Sequence, residues 1–103
     1  MARPNGKKAT FTITGTGEAD VVTEVFGSVH SKRGATYYVH STQAGTAKVY
    51  YVDPSGTARE LDLKIMTADA FHVFDFDFPV PESKLTFTAT VGSGTLTVET
   101  FSY

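Results

Sequence analysis

Threonine alternates with large apolar residues near both ends of the chain. The first run is Thr10-Phe11-Thr12-Ile13-Thr14; the last are Leu85-Thr86-Phe87-Thr88-Ala89-Thr90-Val91 and Thr95-Leu96-Thr97-Val98. A period of two puts the apolar side chains on one face of a strand and the threonines on the other. Threonine is β-branched, so it suits a pleated surface while its hydroxyl meets water. The pattern predicts sheets with one apolar and one wet face.

The intervening segments read the same way. Residues 9–14 form a first strand with Ala9, Phe11 and Ile13 inward. Residues 20–30 carry apolar groups on both parities, which predicts a strand covered on both faces or bent at Gly27. A helix would also fit Val21, Val22, Val25, Phe26 and Val29, but the β-branched valines favour a strand. Ser31-Lys32-Arg33-Gly34 then serves as a hairpin loop, with a return strand over 35–41.

Asp53-Pro54-Ser55-Gly56 has the composition of a type I turn followed by a left-handed glycine. Folding 46–52 onto 57–66 about it sets Val49 against Leu61 and Ala47 against Leu63. The same register sets Lys48 against Asp62 and Tyr50 against Glu60. In 70–78, Phe74, Phe76 and Phe78 share one face and Asp75 and Asp77 the other; Pro79 and Pro81 end the pairing. Segments 84–91 and 94–103 form a last hairpin through Gly92-Ser93-Gly94. Leu96 and Val98 differ in parity from Phe101 and Tyr103, which predicts a bulge or a second buried face near Glu99-Thr100.

About eight short strands separated by Gly, Pro, Ser and Asp turns predict an all-β, antiparallel two-sheet β-sandwich, jelly-roll or immunoglobulin-like. Residues 1–8, polar and basic with an Asn5-Gly6 pair, read as a flexible N-terminal arm, and 9–103 as a single domain.

Composition narrows the functional classes. The chain has 103 residues and no cysteine, which removes disulfides, thiolate metal sites and cysteine nucleophiles. No apolar run approaches the ~20 residues of a membrane span, and no apolar stretch follows the basic start as in a secretory signal. Residues 1–17 carry a charge of +3 and the remainder −5. An acidic body argues against nucleic-acid binding, since phosphate neutralisation drives that process.

Candidate chemistry is sparse. Asp75 and Asp77 lie side by side, but no oxygen-rich loop completes a calcium site, and a solvated strand face accounts for them. His30, His40 and His72 have no metal-ligand spacing, and the hairpin register sets His40 opposite Val25 rather than His30. No serine lies in a nucleophile elbow, and Gly15-x-Gly17 and Gly92-x-Gly94 precede no helix. The residues predict no enzyme, no cofactor and no metal. What remains is adhesive: Tyr38 and Tyr50, the outward members of two tyrosine doublets, form a sticky patch, and the basic arm with Arg3, Lys7 and Lys8 lies on an acidic neighbour.

The stretch Ala47-Lys48-Val49-Tyr50-Tyr51-Val52-Asp53-Pro54-Ser55-Gly56, then Phe74-Asp75-Phe76-Asp77-Phe78-Pro79-Val80-Pro81 and Gly94-Thr95-Leu96-Thr97-Val98, resembles small β-sandwich decoration (cement) proteins of tailed bacteriophages. The likeness covers roughly residues 45–100 and is one of texture: short Thr-rich strands, no cysteine, no signal and no catalytic set. It implies a virion protein, made in the host cytoplasm, that binds the major capsid protein or another virion protein on the capsid surface, often as a homo-oligomer. The acidic body and the lack of a membrane-length apolar run predict no nucleic-acid or membrane partner. A carbohydrate-binding β-sandwich module, free-standing or from a viral fibre, is the alternative; the absence of tryptophan counts against it.

Overall fold

The structure is a computed structural model, and it describes residues 7–25, 34–78 and 80–102. Every regular element among them is a strand: β1 (Lys7–Ile13), β2 (Ala19–Val25), β3 (Ala35–Ser41), β4 (Gly45–Val52), β5 (Ala58–Met66), β6 (Phe71–Phe76), β7 (Glu82–Ala89) and β8 (Gly94–Ser102). β1 begins at Lys7, so Lys7 and Lys8 belong to a strand and not to the arm; Arg3 lies outside the described residues.

The strands form two antiparallel sheets of four. Sheet A has the order β1-β8-β3-β6 and sheet B the order β2-β7-β4-β5. Consecutive strands change sheet at every step except β4 to β5. This interleaving is a jelly roll, which decides between the two sandwich types expected from the sequence.

Two expected hairpins are absent. β2 pairs with β7 and β3 with β6 and β8, so 20–25 and 35–41 lie in different sheets. The proposed loop residues 31–33, and residues 26–30 with Gly27, fall outside the described residues. β7 and β8 also part, at Gly92-Ser93-Gly94. A short glycine turn can deliver the chain to the facing sheet, about 10 Å away, as well as to an adjacent strand, so turn residues alone do not name the partner.

The β4–β5 hairpin is present, with Gly56 at φ +88°. Its register is as expected at Tyr50–Glu60, then shifts by one residue at Leu61. Beyond this bulge Val49 faces Asp62, Lys48 faces Leu63 and Ala47 faces Lys64. Lys48 therefore reaches Glu60 (3.7 Å) instead of Asp62, which lies 3.9 Å from Lys64. The shift sends Met66 into the core opposite Gly45 and turns Leu63 and Ile65 to the outer face.

A second bulge, at Val21, explains the apolar residues on both parities of β2: Val21 and Val22 both pack against the core. β8 has no bulge. Its register with β1 and β3 is continuous, Leu96, Val98 and Thr100 point inward, and Phe101 lies on the outer face. Phe78, expected with Phe74 and Phe76, follows the end of β6 and is exposed, its ring tilted against Phe76.

The core lies between the sheets. Tyr37, Val39, Phe74, Phe76, Leu96 and Val98 of sheet A meet Ala47, Val49, Met66, Leu85, Phe87 and Ala89 of sheet B. Each large side chain buried there stabilises the fold by about 1.5–3 kcal/mol.

Candidate functional site

Parity fixes what the outer face of sheet A displays. With Tyr37 and Val39 inward, Tyr38 and His40 point out; with Phe74 and Phe76 inward, Phe71, Val73 and Asp75 point out. Register then sets three lateral rows across the sheet. The middle row runs Lys8, Glu99, Tyr38, Val73; one neighbour runs Thr10, Thr97, His40, Phe71, and the other Phe101, Thr36, Asp75.

Tyr38 is the hub. Its ring stacks on Phe71 (centroids 6.1 Å apart, planes at 19°) and meets Phe101 edge-on (5.4 Å, 81°), both diagonal neighbours on one face. Tyr38, Phe71, Glu99 and Phe101 line a shallow groove of about 210 Å³. Phe71 remains 59% exposed and Val73 39%, so the cluster is an apolar patch facing solvent. A polar rim surrounds it. Thr36 donates a hydrogen bond to Asp75 (2.7 Å), His40 Nε2 lies 3.5 Å from Asp69, and Lys8 stands opposite Glu99.

The other proposed contacts lie elsewhere. Tyr50 is on the outer face of sheet B, so it and Tyr38 do not form one patch. Its hydroxyl donates to Glu18 Oε2 (2.6 Å), which also accepts from Thr86 (2.6 Å), while Lys84 Nζ stands 5.6 Å from the ring centroid. The two hydroxyl donors hold the Glu18 carboxyl below its ordinary range, and the Glu18 bond pushes the Tyr50 phenol up. Lys7 points inward, its Nζ 3.0 Å from Glu24 of sheet B. Among the described candidates, Tyr38 lines the groove and Lys8 stands in register with Glu99 beside it.

Phe71, Val73 and Phe101 were not anticipated there. The signal was available: Phe71 and Val73 have the opposite parity to Phe74 and Phe76, and Phe101 the opposite parity to Leu96 and Val98.

A smaller cleft of about 110 Å³ lies where Phe11 and Ile13 meet Phe87 and Ala89 beside Gly15 and Gly17, with no titratable side chain in its lining. No cluster of three or more potential metal ligands occurs among the described residues. The Tyr38 groove gathers ring faces around one carboxylate and holds no nucleophile–base pair. What it offers is apolar surface inside a polar rim, the make-up of a docking patch.

No family model matches the chain, and no curated protein matches its sequence. Solved structures share its fold. The Yersinia pseudotuberculosis-derived mitogen aligns over 97% of this chain and 87% of its own, with a TM-score of 0.64 and 18% identity. A protein of Bacillus endospore appendages, which form disulfide-linked pili, aligns over 94% and 84%, with a TM-score of 0.60 and 14% identity. The SPBc2 prophage-derived protein YomS aligns over 99% and 97%, with a TM-score of 0.56 and 19% identity. At these identities the likeness is one of fold, and it spans nearly the whole chain.

Proposed function

We propose that the chain is a non-catalytic structural protein of a virion: a decoration subunit that binds the major capsid protein, or another virion protein, on the head shell. The observation that carries this reading is the Tyr38–Phe71–Phe101 cluster, an exposed apolar face with a polar rim and no converging catalytic groups. The likeness in fold to a prophage-derived protein and to a pilus-forming one is consistent with it. In this role the subunit buries its aromatic face on the shell and stabilises the assembled state by mass action. A specific contact of this kind hides about 1,200–2,000 Å² in total, so the aromatic face supplies the centre and the surrounding polar residues the rim.

One observation favours a second reading. The Tyr38 and Phe71 rings lie nearly parallel beside Glu99, and ring faces next to a hydrogen-bond acceptor suit the apolar face and hydroxyls of a sugar. A glycan-binding module of a fibre would use the same groove.

Two measurements on the purified chain separate these readings. A decoration subunit raises the melting temperature of empty phage heads and saturates on them. A glycan module leaves heads unaffected and binds a sugar array saturably.

A further inference from the structure

The four strands bordering the sandwich differ in how each would meet a second copy of itself. β1 carries Lys7 and Lys8 without an acid, β2 carries Asp20 and Glu24 without a base, and β6 has Asp75 as its one acid and no lysine or arginine. None of these can pair opposite formal charges across an antiparallel junction with itself. β5 can. Around Leu63 its sequence runs Asp62-Leu63-Lys64, an acid and a base placed symmetrically about an apolar centre. A twofold axis through Leu63 sets Asp62 opposite Lys64 of the second copy, and Lys64 opposite Asp62 of that copy, on the same face of the joined sheet. Leu63 then meets Leu63 on the outer face, while Leu61, at the bulge, keeps its contact with the core.

Two further observations single out this edge. β5 pairs with β4 alone, yet its outer face carries Leu63 and Ile65, the latter 76% exposed. An edge strand presents a row of unpaired N–H and C=O groups, a template for pairing. In addition, the Leu63 N–H donates to the carboxylate of its own neighbour Asp62 (2.8 Å), an exposed bond that only caps the donor.

We propose that β5 pairs antiparallel with β5 of a second copy about a twofold axis through Leu63, joining two B sheets into one of eight strands. On pairing, each Leu63 N–H passes from the Asp62 carboxylate to the carbonyl of the facing Leu63, and each freed Asp62 turns to Lys64 of the other copy. This inference does not depend on shell docking. It uses an edge of sheet B, whereas the Tyr38 groove lies on sheet A, so either can fail without the other.

Sedimentation velocity on the full chain tests it. The wild type is expected to dimerise. Asp62→Lys and Lys64→Asp each create two like-charge contacts and raise the dimer dissociation constant about tenfold. The double swap Asp62→Lys/Lys64→Asp restores the dimer, and an equimolar mixture of the two single variants forms a heterodimer, because one chain then carries two lysines and the other two aspartates. Ile65→Lys, at a site whose exposure spares the fold, also weakens dimerisation. A wild type that stays monomeric up to its solubility limit overturns the proposal. So does a dimer indifferent to these changes, or a folded double swap that fails to recover.

Discussion

The hydroxyl of Tyr37, on β3 of sheet A, meets the hydroxyl of Ser83, on β7 of sheet B, inside the core. Both residues are fully buried, and they form a polar link between the layers. Burial, and then the Glu24 carboxylate, push the Tyr37 phenol above its ordinary range, so it stays protonated through the alkaline region. Tyr37→Phe orphans the Ser83 hydroxyl and is expected to lower stability by about 1–3 kcal/mol in denaturant unfolding. Adding Ser83→Ala removes the orphan and recovers part of that loss. A double variant less stable by the full sum of both single changes would show that the hydroxyls do not act together.

Lys7 and Glu24 form the second link between the sheets. The Glu24 side chain is 7% exposed and the Lys7 side chain 68%, so the pair is half solvated. Lys7→Ala leaves a buried carboxylate without its cation, and about 1 kcal/mol of stability should go with it. In that background Glu24→Gln recovers part of the loss; no recovery would mean that Lys7 contributes by packing alone. A deletion meant to test the basic arm must therefore spare Lys7 and Lys8, which are strand residues.

The β4–β5 turn should report on acid. The Asp53 carboxylate accepts from Ser55 Oγ (2.6 Å), Thr57 N (2.9 Å), Ser55 N (3.0 Å) and Arg59 Nε (3.0 Å). The Ser55 hydroxyl, then the Thr57 amide, lead in lowering its pKa from 3.8 to about 2. A depressed carboxylate contributes stability that is complete above its unfolded value and is lost as pH falls through the folded one. Wild type minus Asp53→Asn stability should thus shrink between about pH 4 and pH 2 and hold constant above that window. A difference that does not change across it would exclude this linkage.

Gly45 is a steric requirement. A methyl group on its Cα would collide with the Thr88 carbonyl oxygen and the edge of the Phe87 ring, which occupies the space opposite. Neither can retreat, since Phe87 is in the core and Thr88 lies on β7. Gly45→Ala is expected to destabilise by about 1–3 kcal/mol through overpacking, read as a fall in Tm. Gly17→Ala, where the site is open, serves as the control and should change little.

Much of the fold was legible because alternation and turn chemistry are local. The return strand over 35–41 coincides with β3, and Asp53-Pro54-Ser55-Gly56 makes the expected turn. Pairing was less legible, since Gly92-Ser93-Gly94 reverses the chain equally well toward a neighbour or toward the facing sheet. The register shifts at Leu61 because Leu61, Leu63 and Ile65 share one parity in the sequence, and only the bulge reveals that Met66 displaces Leu63 and Ile65 from the core. Tyr38 was visible as the outward half of a doublet. Phe71 and Val73 were less so, because the heavier Phe74-x-Phe76 pattern on the same strand masks the opposite parity. Lys7 looked like an arm residue because its partner Glu24 lies 17 residues away in the other sheet.

The most direct test of the adhesive account compares wild type with Phe71→Asp in co-sedimentation with empty tailed-phage heads. Phe71 is largely exposed, so the variant should melt at the wild-type temperature. Wild type is expected to pellet with the heads and Phe71→Asp to stay in the supernatant. Equal pelleting of both proteins, or a wild type that never leaves the supernatant, would contradict the adhesive account.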